Sequence, residues 1–157
     1  DVRINSDGTT TGKSHFNVYF RYTELFLILA EAANEVNGPD HAVNGISARD
    51  VIAAIRERAG ITQPDAFLAS VTTKDAMRDL IRNERRLELS FEGHRFWDLR
   101  RWDADLNVTA EGYYNDGTSY ISLPSIEERN YPDYGEYMPI PNGEIIKFSA
   151  LEQNQGW

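Results

Sequence analysis

Apolar residues recur at helical spacing in three segments before Trp102, and this period disappears after it. The first segment predicts a helix from about Phe20 to Asn37. Gly38-Pro39 should end it, because Gly accepts the left-handed C-terminal position and Pro cannot continue a helix. Its expected apolar stripe is Tyr22, Leu25, Phe26, Leu29, Ala33 and Val36. A chain with this pattern must begin as packed helices and end in another kind of structure.

Two further helices are predicted, each with a capping signal at its start. The second should run from about Ala48 to Ala59, with Ser47 as N-cap and Asp50 three residues later. The third should run from about Thr73 to Glu92, with Thr72 as N-cap, and a short helix from His94 to Trp102 should follow. The expected stripes are Val51, Ile52, Ile55 and Ala59 in the second helix, and Met77, Leu80, Ile81, Leu87 and Phe91 in the third.

The last third of the chain is acidic and rich in Tyr, Gly, Asn and Pro. Residues 103–157 contain ten acidic side chains against two basic ones, whereas residues 1–102 are nearly balanced. The pattern predicts irregular structure there, with a small β-hairpin over residues 113–121. The expected fold class is therefore all-α, with a polar lead-in (1–19), a helical region (20–102) and an irregular acidic segment (103–157).

Composition excludes several classes of function. A formal net charge of −9 argues against nucleic acid as the main partner, since phosphate binding needs a basic face. The longest wholly apolar run, 25–30, is far too short to span a bilayer. The segment 8–14 resembles a phosphate-binding loop but has three residues between its glycines, where four are needed. The absence of an initiator Met and of a signal peptide suggests a processed chain or part of a longer one.

Arginines and carboxylates are densest between residues 81 and 102. Glu84 falls on the apolar stripe of the third helix, and a carboxylate there must be paired. Helical spacing also favours pairs of Glu88 with Arg85, Glu92 with Arg95, and Asp98 with Arg101. The expected structural ion network is Glu84, Arg85, Arg86, Glu88, Glu92, Arg95, Asp98 and Arg101. Arg82, Arg85 and Arg86 surround Glu84 and Glu88 in the sequence, and such neighbours favour ionised carboxylates, which disfavours a glycosidase acid pair and hence an enzyme.

No metal or cofactor site is predicted. The three histidines have no metal-ligand spacing. Asp103, Asp105 and Asn107 mimic the opening of a calcium loop, but Val108 stands where that loop needs Gly, and Tyr114 where it needs Glu. Solvated loop acids are the expectation here, with a looser cation site as the alternative.

Four motifs in order over residues 20–157 resemble the SusD/RagB family. They are the segments FRYTELFLILAEA (20–32), AIRERAGI (54–61), ERRLEL with FEGHRFWDLRRW (84–102), and the closing YMPIP (137–141) with QNQGW (153–157). Ala54 stands where the family usually has Asn. The resemblance covers essentially the whole chain but only about the C-terminal third of a typical member, so an N-terminal portion is expected to be missing.

The resemblance implies a helical fold with tetratricopeptide-like hairpins. It also implies a non-catalytic outer-membrane lipoprotein of Gram-negative bacteria, exposed outside the cell. Such a protein acts as the lid of a TonB-dependent, SusC-like transporter and hands it oligo- or polysaccharides or peptides. Membrane contact would occur only through a lipid anchor absent from this chain.

Two functions stay open from the residues: glycan capture, and a helical protein-interaction or peptide-binding scaffold without sugar binding. For glycan capture, the candidate ligand contacts are Tyr113, Tyr114 and Tyr120, because a tyrosine face covers the apolar side of a pyranose. The acidic surroundings favour a neutral glycan. The alternative is that these tyrosines pack on the missing portion.

Overall fold

The computed structural model of the chain describes residues 2–12 and 18–157. Lys13 and Ser14 of the loop that resembles a phosphate-binding motif, and His15, lie outside these residues. The helices are α1 Tyr22–Asn37, α2 Ala48–Arg58, α3 Ala66–Ser70, α4 Lys74–Glu88, α5 His94–Arg101 and α6 Asn142–Lys147, with a 3-10 helix at Asp133–Glu136. The strands are β1 Val2–Ile4, β2 Thr10–Gly12, β3 Ala42–Val43, β4 Ile46–Ser47, β5 Ala110–Asn115 and β6 Tyr120–Glu127.

The chain is mainly helical, as predicted, but the described residues also form three antiparallel strand pairs, of which the sequence predicted only the hairpin near residues 113–121. These pairs are β1 with β2, β3 with β4, and β5 with β6. The chain divides into two compact units, residues 1–95 and 96–157. In the first unit, α1 packs against both α2 and α4. The main apolar core among the described residues lies there: Leu27, Ala30, Ala48, Val51, Ile52, Ile55, Leu68, Val71, Met77, Leu80, Ile81 and Leu89.

The predicted stripe of α1 is wrong except at Ala33, because most of the buried side chains lie on a different face of the helix. The buried residues are Thr23, Leu27, Ala30, Ala33 and Asn34. Helix α1 is apolar almost all round, so its spacing alone did not select the face. Small Ala30 and Ala33 allow close packing, and buried Asn34 donates from Nδ2 to the carbonyl of Lys74 at 2.9 Å. Tyr22, Leu25, Phe26 and Val36 of the predicted stripe remain exposed.

Helix α2 follows its prediction closely. Ser47 and Asp50 form a reciprocal capping box, and Val51, Ile52 and Ile55 are buried. The helix ends at Arg58, one residue early, and Ala59 is exposed. Local capping signals and an unambiguous apolar stripe point to the same face here, so sequence and structure agree.

Helix α4 differs from its prediction at both ends. Its N-cap is Thr73 instead of Thr72, because the Thr73 side chain accepts a hydrogen bond from the Ala76 amide at 3.2 Å. It ends at Glu88 and not at Glu92, since the backbone turns at Phe91, which has a φ of 65° and a fully exposed ring. Leu87 is also exposed. The five-residue helix α3, capped by Asp65, was not predicted.

The acidic segment is more ordered than predicted. Strands β5 and β6 form a hairpin that extends well beyond 113–121 on both sides. Its register shifts between Ala110 and Gly112, opposite a stretch of β6 that includes Pro124. Proline cannot donate to a strand ladder, so an irregular position suits it. Farther on, Gln153 pairs through its side-chain amide with both backbone groups of Ile140, at 2.8 and 2.9 Å.

Candidate functional site

Glu84 is buried in the first unit and binds an arginine from another helix. Its Oε1 accepts a hydrogen bond from Nη1 of Arg56 on α2 at 2.7 Å, and Glu84 is only 7% exposed. Nε of Arg56 also donates to Asp65 at 2.5 Å. Arg56 and Glu84 are 28 residues apart in the sequence, and they meet because α2 packs against α4. Arg56 therefore ties α2, α3 and α4 together.

Arg21 holds the turn that follows α4. Its Nη1 donates to Oε1 of Glu88 at 2.7 Å, its Nε donates to Oε2 of Glu92 at 2.8 Å, and its Nη2 donates to the backbone carbonyl of Glu88. Arg58 binds the Glu88 carboxylate as well. Burial acts to raise the pKa of Glu88, but the hydrogen bonds from Arg21 and Arg58 outweigh it and lower that pKa below its usual value.

The sequence pointed to Arg85 and Arg95 as partners of Glu88 and Glu92, and it missed Arg21, Arg56 and Arg58. Helical spacing finds only near neighbours, and Glu92 lies beyond the end of α4. A usable signal existed, because the missed arginines belong to the segments 20–32 and 54–61 that carry the family resemblance.

The remaining predicted members of the ion network lie in different surroundings. Arg85 is buried, with Nη2 at 3.6 Å from Oε1 of Glu24. Asp98 is buried and binds Nε of Arg101 at 2.9 Å, as its spacing predicts. Arg86 is exposed and forms no ion pair within the described residues, because it points away from the packed face of α4. The ion network therefore links α4 to α2 through Arg56 and Glu84, and to the start of α1 through Arg21 and Glu88. In both pairs the carboxylate accepts a hydrogen bond from a guanidinium group.

The three candidate tyrosines do not form one group. The strand register pairs Tyr113 with Ser122, Tyr114 with Ile121, and Asn115 with Tyr120. Opposed residues share a face and successive residues alternate, so Tyr113 and Tyr120 lie on one face and Tyr114 on the other. Tyr113 and Tyr120 are 73% and 76% exposed. They occupy a diagonal position across the strands, close enough for their rings to form a common surface.

The polar residues at the hairpin tip are largely used by the turn. Oδ1 of Asp116 accepts hydrogen bonds from the amides of Thr118 and Ser119, both at 2.8 Å. Oδ1 of Asn115 accepts one from the amide of Gly117, also at 2.8 Å. The backbone hydrogen bonds from Ser119 and Thr118 lower the pKa of Asp116 below its usual value. The tip is therefore rigid, and it presents the two tyrosines on a fixed ribbon.

The loop that mimics a calcium site lines a polar hollow of about 280 Å³ in the second unit. Oδ1 of Asp105 accepts a hydrogen bond from the amide of Asn107 at 2.8 Å. Asn107 in turn pairs with the backbone of Tyr131 through both ends of its side-chain amide. No group of three His, Cys, Asp or Glu side chains suited to a metal ion occurs in residues 2–12 and 18–157.

A second concave surface lies between α1 and α2 in the first unit. This groove has a volume of about 430 Å³ and a mostly apolar lining: Tyr22, Thr23, Phe26, Ile46, Asp50, Val51, Ala54, Ile55 and Arg58. It includes Tyr22 and Phe26, two exposed residues of the α1 stripe that the sequence predicted to be buried. None of the helices in the described ranges combines the length and the hydrophobicity needed to cross a bilayer.

Comparisons with known proteins agree on one family. A model of the SusD family matches residues 2–157. A SusD-like protein of Formosa agariphila is 33% identical over 128 residues, which are 82% of this chain and 21% of that protein. A second SusD-like protein of the same organism is 29% identical over 139 residues, covering 85% of this chain and 24% of the relative.

Solved structures agree in fold. A SusD-like protein from Bacteroides fragilis superposes with a TM-score of 0.66 at 30% identity, covering 90% of this chain and 26% of the other. The protein BT4246 superposes with a TM-score of 0.77 at 27% identity, covering 99% and 26%. The chain spans only about a fifth to a quarter of the length of these relatives. On the family model and these relatives together, the chain belongs to the SusD family.

Proposed function

We propose that this chain is the C-terminal region of a non-catalytic glycan-binding protein on the outer face of the bacterial outer membrane. In this proposal the full-length protein is lipid-anchored, arranges its helices as tetratricopeptide-like hairpins, and works as the lid of a SusC-like TonB-dependent transporter. Family membership supports the general role. The observation that carries a ligand site in this region is the exposed pair Tyr113 and Tyr120 on one face of the β5–β6 hairpin.

The chemistry of this face suits a neutral sugar. Two exposed phenol rings can cover the apolar faces of pyranose rings while their hydroxyls stay in water. Ser122 lies directly across from Tyr113 and provides a hydroxyl that both donates and accepts. With ten acids against two bases in residues 103–157, uronate and sulfated glycans would be repelled.

The test is glycan binding by the full-length protein with the tyrosines replaced. A Tyr113→Ala/Tyr120→Ala variant should lose at least tenfold in affinity for a neutral polysaccharide in calorimetric titration. Tyr114→Ala is the matched control, because Tyr114 lies on the opposite face of the same hairpin. Equal losses in both variants would point to a general effect on folding. Unchanged affinity in a folded double variant would show that the two hairpin tyrosines do not contact the glycan.

A second candidate function is protein docking through the groove between α1 and α2. Its apolar lining and exposed Phe26 and Tyr22 favour a protein surface over a sugar. Phe26→Asp in the full-length protein should weaken transporter co-purification while leaving glycan affinity intact if docking uses this groove. Loss of glycan affinity alone would contradict docking there.

A further inference from the structure

We infer that the C-terminal turn carries a separate pocket for a small neutral saccharide or the end of a glycan chain, distinct from the open hairpin face. The inference rests on the proposed glycan-binding function for the class of ligand, but on different residues. The pocket has a volume of about 620 Å³ and lies within the second unit. Its lining is Asp133, Tyr134, Tyr137, Asn154, Gln155 and Gly156. This volume falls in the range of roughly 300–1,000 Å³ that is typical of small-molecule pockets.

Hydrogen bonds across the turn hold the pocket open in one shape. Nε1 of Trp157 donates to the carbonyl of Tyr137 at 2.8 Å, and Nδ2 of Asn154 donates to the carbonyl of Met138 at 2.7 Å. Oε1 of Gln153 accepts from the amides of Ile140 and Asn154 at 2.8 and 2.9 Å. Ligand binding at such a site costs little conformational entropy, because the pocket residues are already held in place.

The aromatic wall is equally defined. The rings of Tyr134 and Trp157 meet edge to face, with centroids 5.1 Å apart. Gly156 lies directly beneath Tyr134, and a Cβ atom there would collide with its side chain. Glycine at this position thus allows the Tyr134 side chain to approach the backbone of the turn closely. The Tyr137 side chain remains 64% exposed and free to cover a ligand ring.

The polar groups of the pocket determine the class of ligand. Gln155 offers an amide that donates and accepts, and its side chain forms no hydrogen bond within the described residues. Asp133 offers only acceptors when ionised, and no basic side chain lines the pocket. Sugar hydroxyls can donate to these acceptors, whereas a carboxylate or sulfate group would be repelled. Aromatic rings beside amide and carboxylate groups therefore fit a neutral, polyhydroxylated ring.

The shape separates the two surfaces. A hairpin face is a flat ribbon that can lie along the middle of a glycan chain, whereas the pocket is a concave surface of about 620 Å³ that suits a short sugar or a chain end. The pocket should therefore bind disaccharides that the hairpin face holds weakly.

The test titrates the full-length protein with maltose, cellobiose and lactose, and with digalacturonic acid as the anionic probe. We expect at least one neutral disaccharide to bind, with affinity at least tenfold lower in Tyr137→Ala and in Gln155→Ala. The Tyr113→Ala/Tyr120→Ala variant should bind it as the wild type does. Digalacturonic acid should not bind. Gln155→Ala should fold normally, because this exposed side chain makes no hydrogen bond within the described residues. A loss of affinity in this variant can therefore be attributed to the pocket and not to misfolding.

Two outcomes would overturn the proposal that this pocket binds a saccharide. One is unchanged disaccharide affinity in both folded pocket variants. The other is a wild-type protein that binds polysaccharide through the hairpin tyrosines but no disaccharide; this result leaves the proposed function standing. If neither polysaccharide nor disaccharide binds, the proposed function fails together with the pocket.

Discussion

At the scale of single residues, Glu84 should contribute most to stability among the ion-pair carboxylates. It is buried and binds Arg56, which would keep only Asp65 as a partner if Glu84 were removed. Removing Glu84 leaves a buried Nη1 donor of Arg56 without an acceptor, although Asp65 still balances its charge, so Glu84→Ala should lower the free energy of unfolding by about 2 kcal/mol. Urea denaturation followed by circular dichroism measures this change.

The matched control for Glu84 is Asp79→Ala on the same helix. Asp79 is exposed and has no ion pair within the described residues, so its replacement should change stability by less than about 0.5 kcal/mol. If Glu84→Ala costs no more than Asp79→Ala, Glu84 is solvated and the buried pair with Arg56 does not exist in solution.

Glu35 should contribute a pH-dependent increment of stability. Hydrogen bonds from Arg78, assisted by Lys74, lower the pKa of Glu35 from 4.5 to about 2. Since the folded-state pKa lies below the unfolded one, this stabilisation is complete above about pH 4.5 and is lost as the pH falls toward 2. The Glu35 side chain is 39% exposed, so solvent screening limits the contribution to under about 1 kcal/mol.

This increment can be measured as the stability difference between wild type and Glu35→Gln from pH 6 down to pH 2.5. The difference should shrink steadily as the solution is acidified, and added salt should reduce it at pH 6. A difference that stays constant over this pH range would mean that the carboxylate charge does not contribute.

At the scale of elements, the N-cap of α4 is Thr73 in the structure, whereas the sequence predicted Thr72. Thr73→Ala removes the side chain that accepts from the Ala76 amide and should cost about 1 kcal/mol. The adjacent Thr72→Ala is the control, since Thr72 is exposed and should cost less than about 0.5 kcal/mol. Thermal unfolding of both variants measures the two losses of stability. A larger loss in Thr72→Ala than in Thr73→Ala would show that Thr72 is the N-cap, as the sequence predicted.

At the scale of the whole molecule, α1 exposes apolar side chains that a soluble helix normally covers. Leu25 and Ile28 are 58% and 47% exposed, and they lie beside exposed Phe26 and Tyr22. The 157-residue chain produced alone should therefore bind a hydrophobic dye and self-associate with rising concentration. Leu25→Lys/Ile28→Lys should suppress both effects.

The same double variant should unfold at the wild-type denaturant concentration, because neither side chain belongs to the buried core. Leu27→Lys, which places a charge in that core, should unfold the first unit and serves as the contrasting variant. A dilute monomer that binds no dye would contradict the exposed face.

Local signals accounted for much of this fold. The capping box of Ser47 and Asp50, the stripe Val51, Ile52 and Ile55, and the position of a hairpin near residues 113–121 follow from interactions within a few residues. Most of the predicted α1 stripe was wrong, with Ala33 as the exception, because on a helix that is apolar nearly all round the buried face depends on which neighbour packs there. The candidate tyrosines could be named but not grouped, since their sharing of a face depends on strand register.

The sequence by itself determined the positions of α1, α2, α4 and α5, that Glu84 must find a partner, and which family the chain resembles. Tertiary structure alone decided that Arg56 is this partner, that Arg21 holds Glu88 and Glu92, and that the C-terminal turn forms a concave pocket beside Tyr134. The physical reason is range. Spacing and capping act over four residues or fewer, whereas these ion pairs and the pocket join residues brought together only by packing.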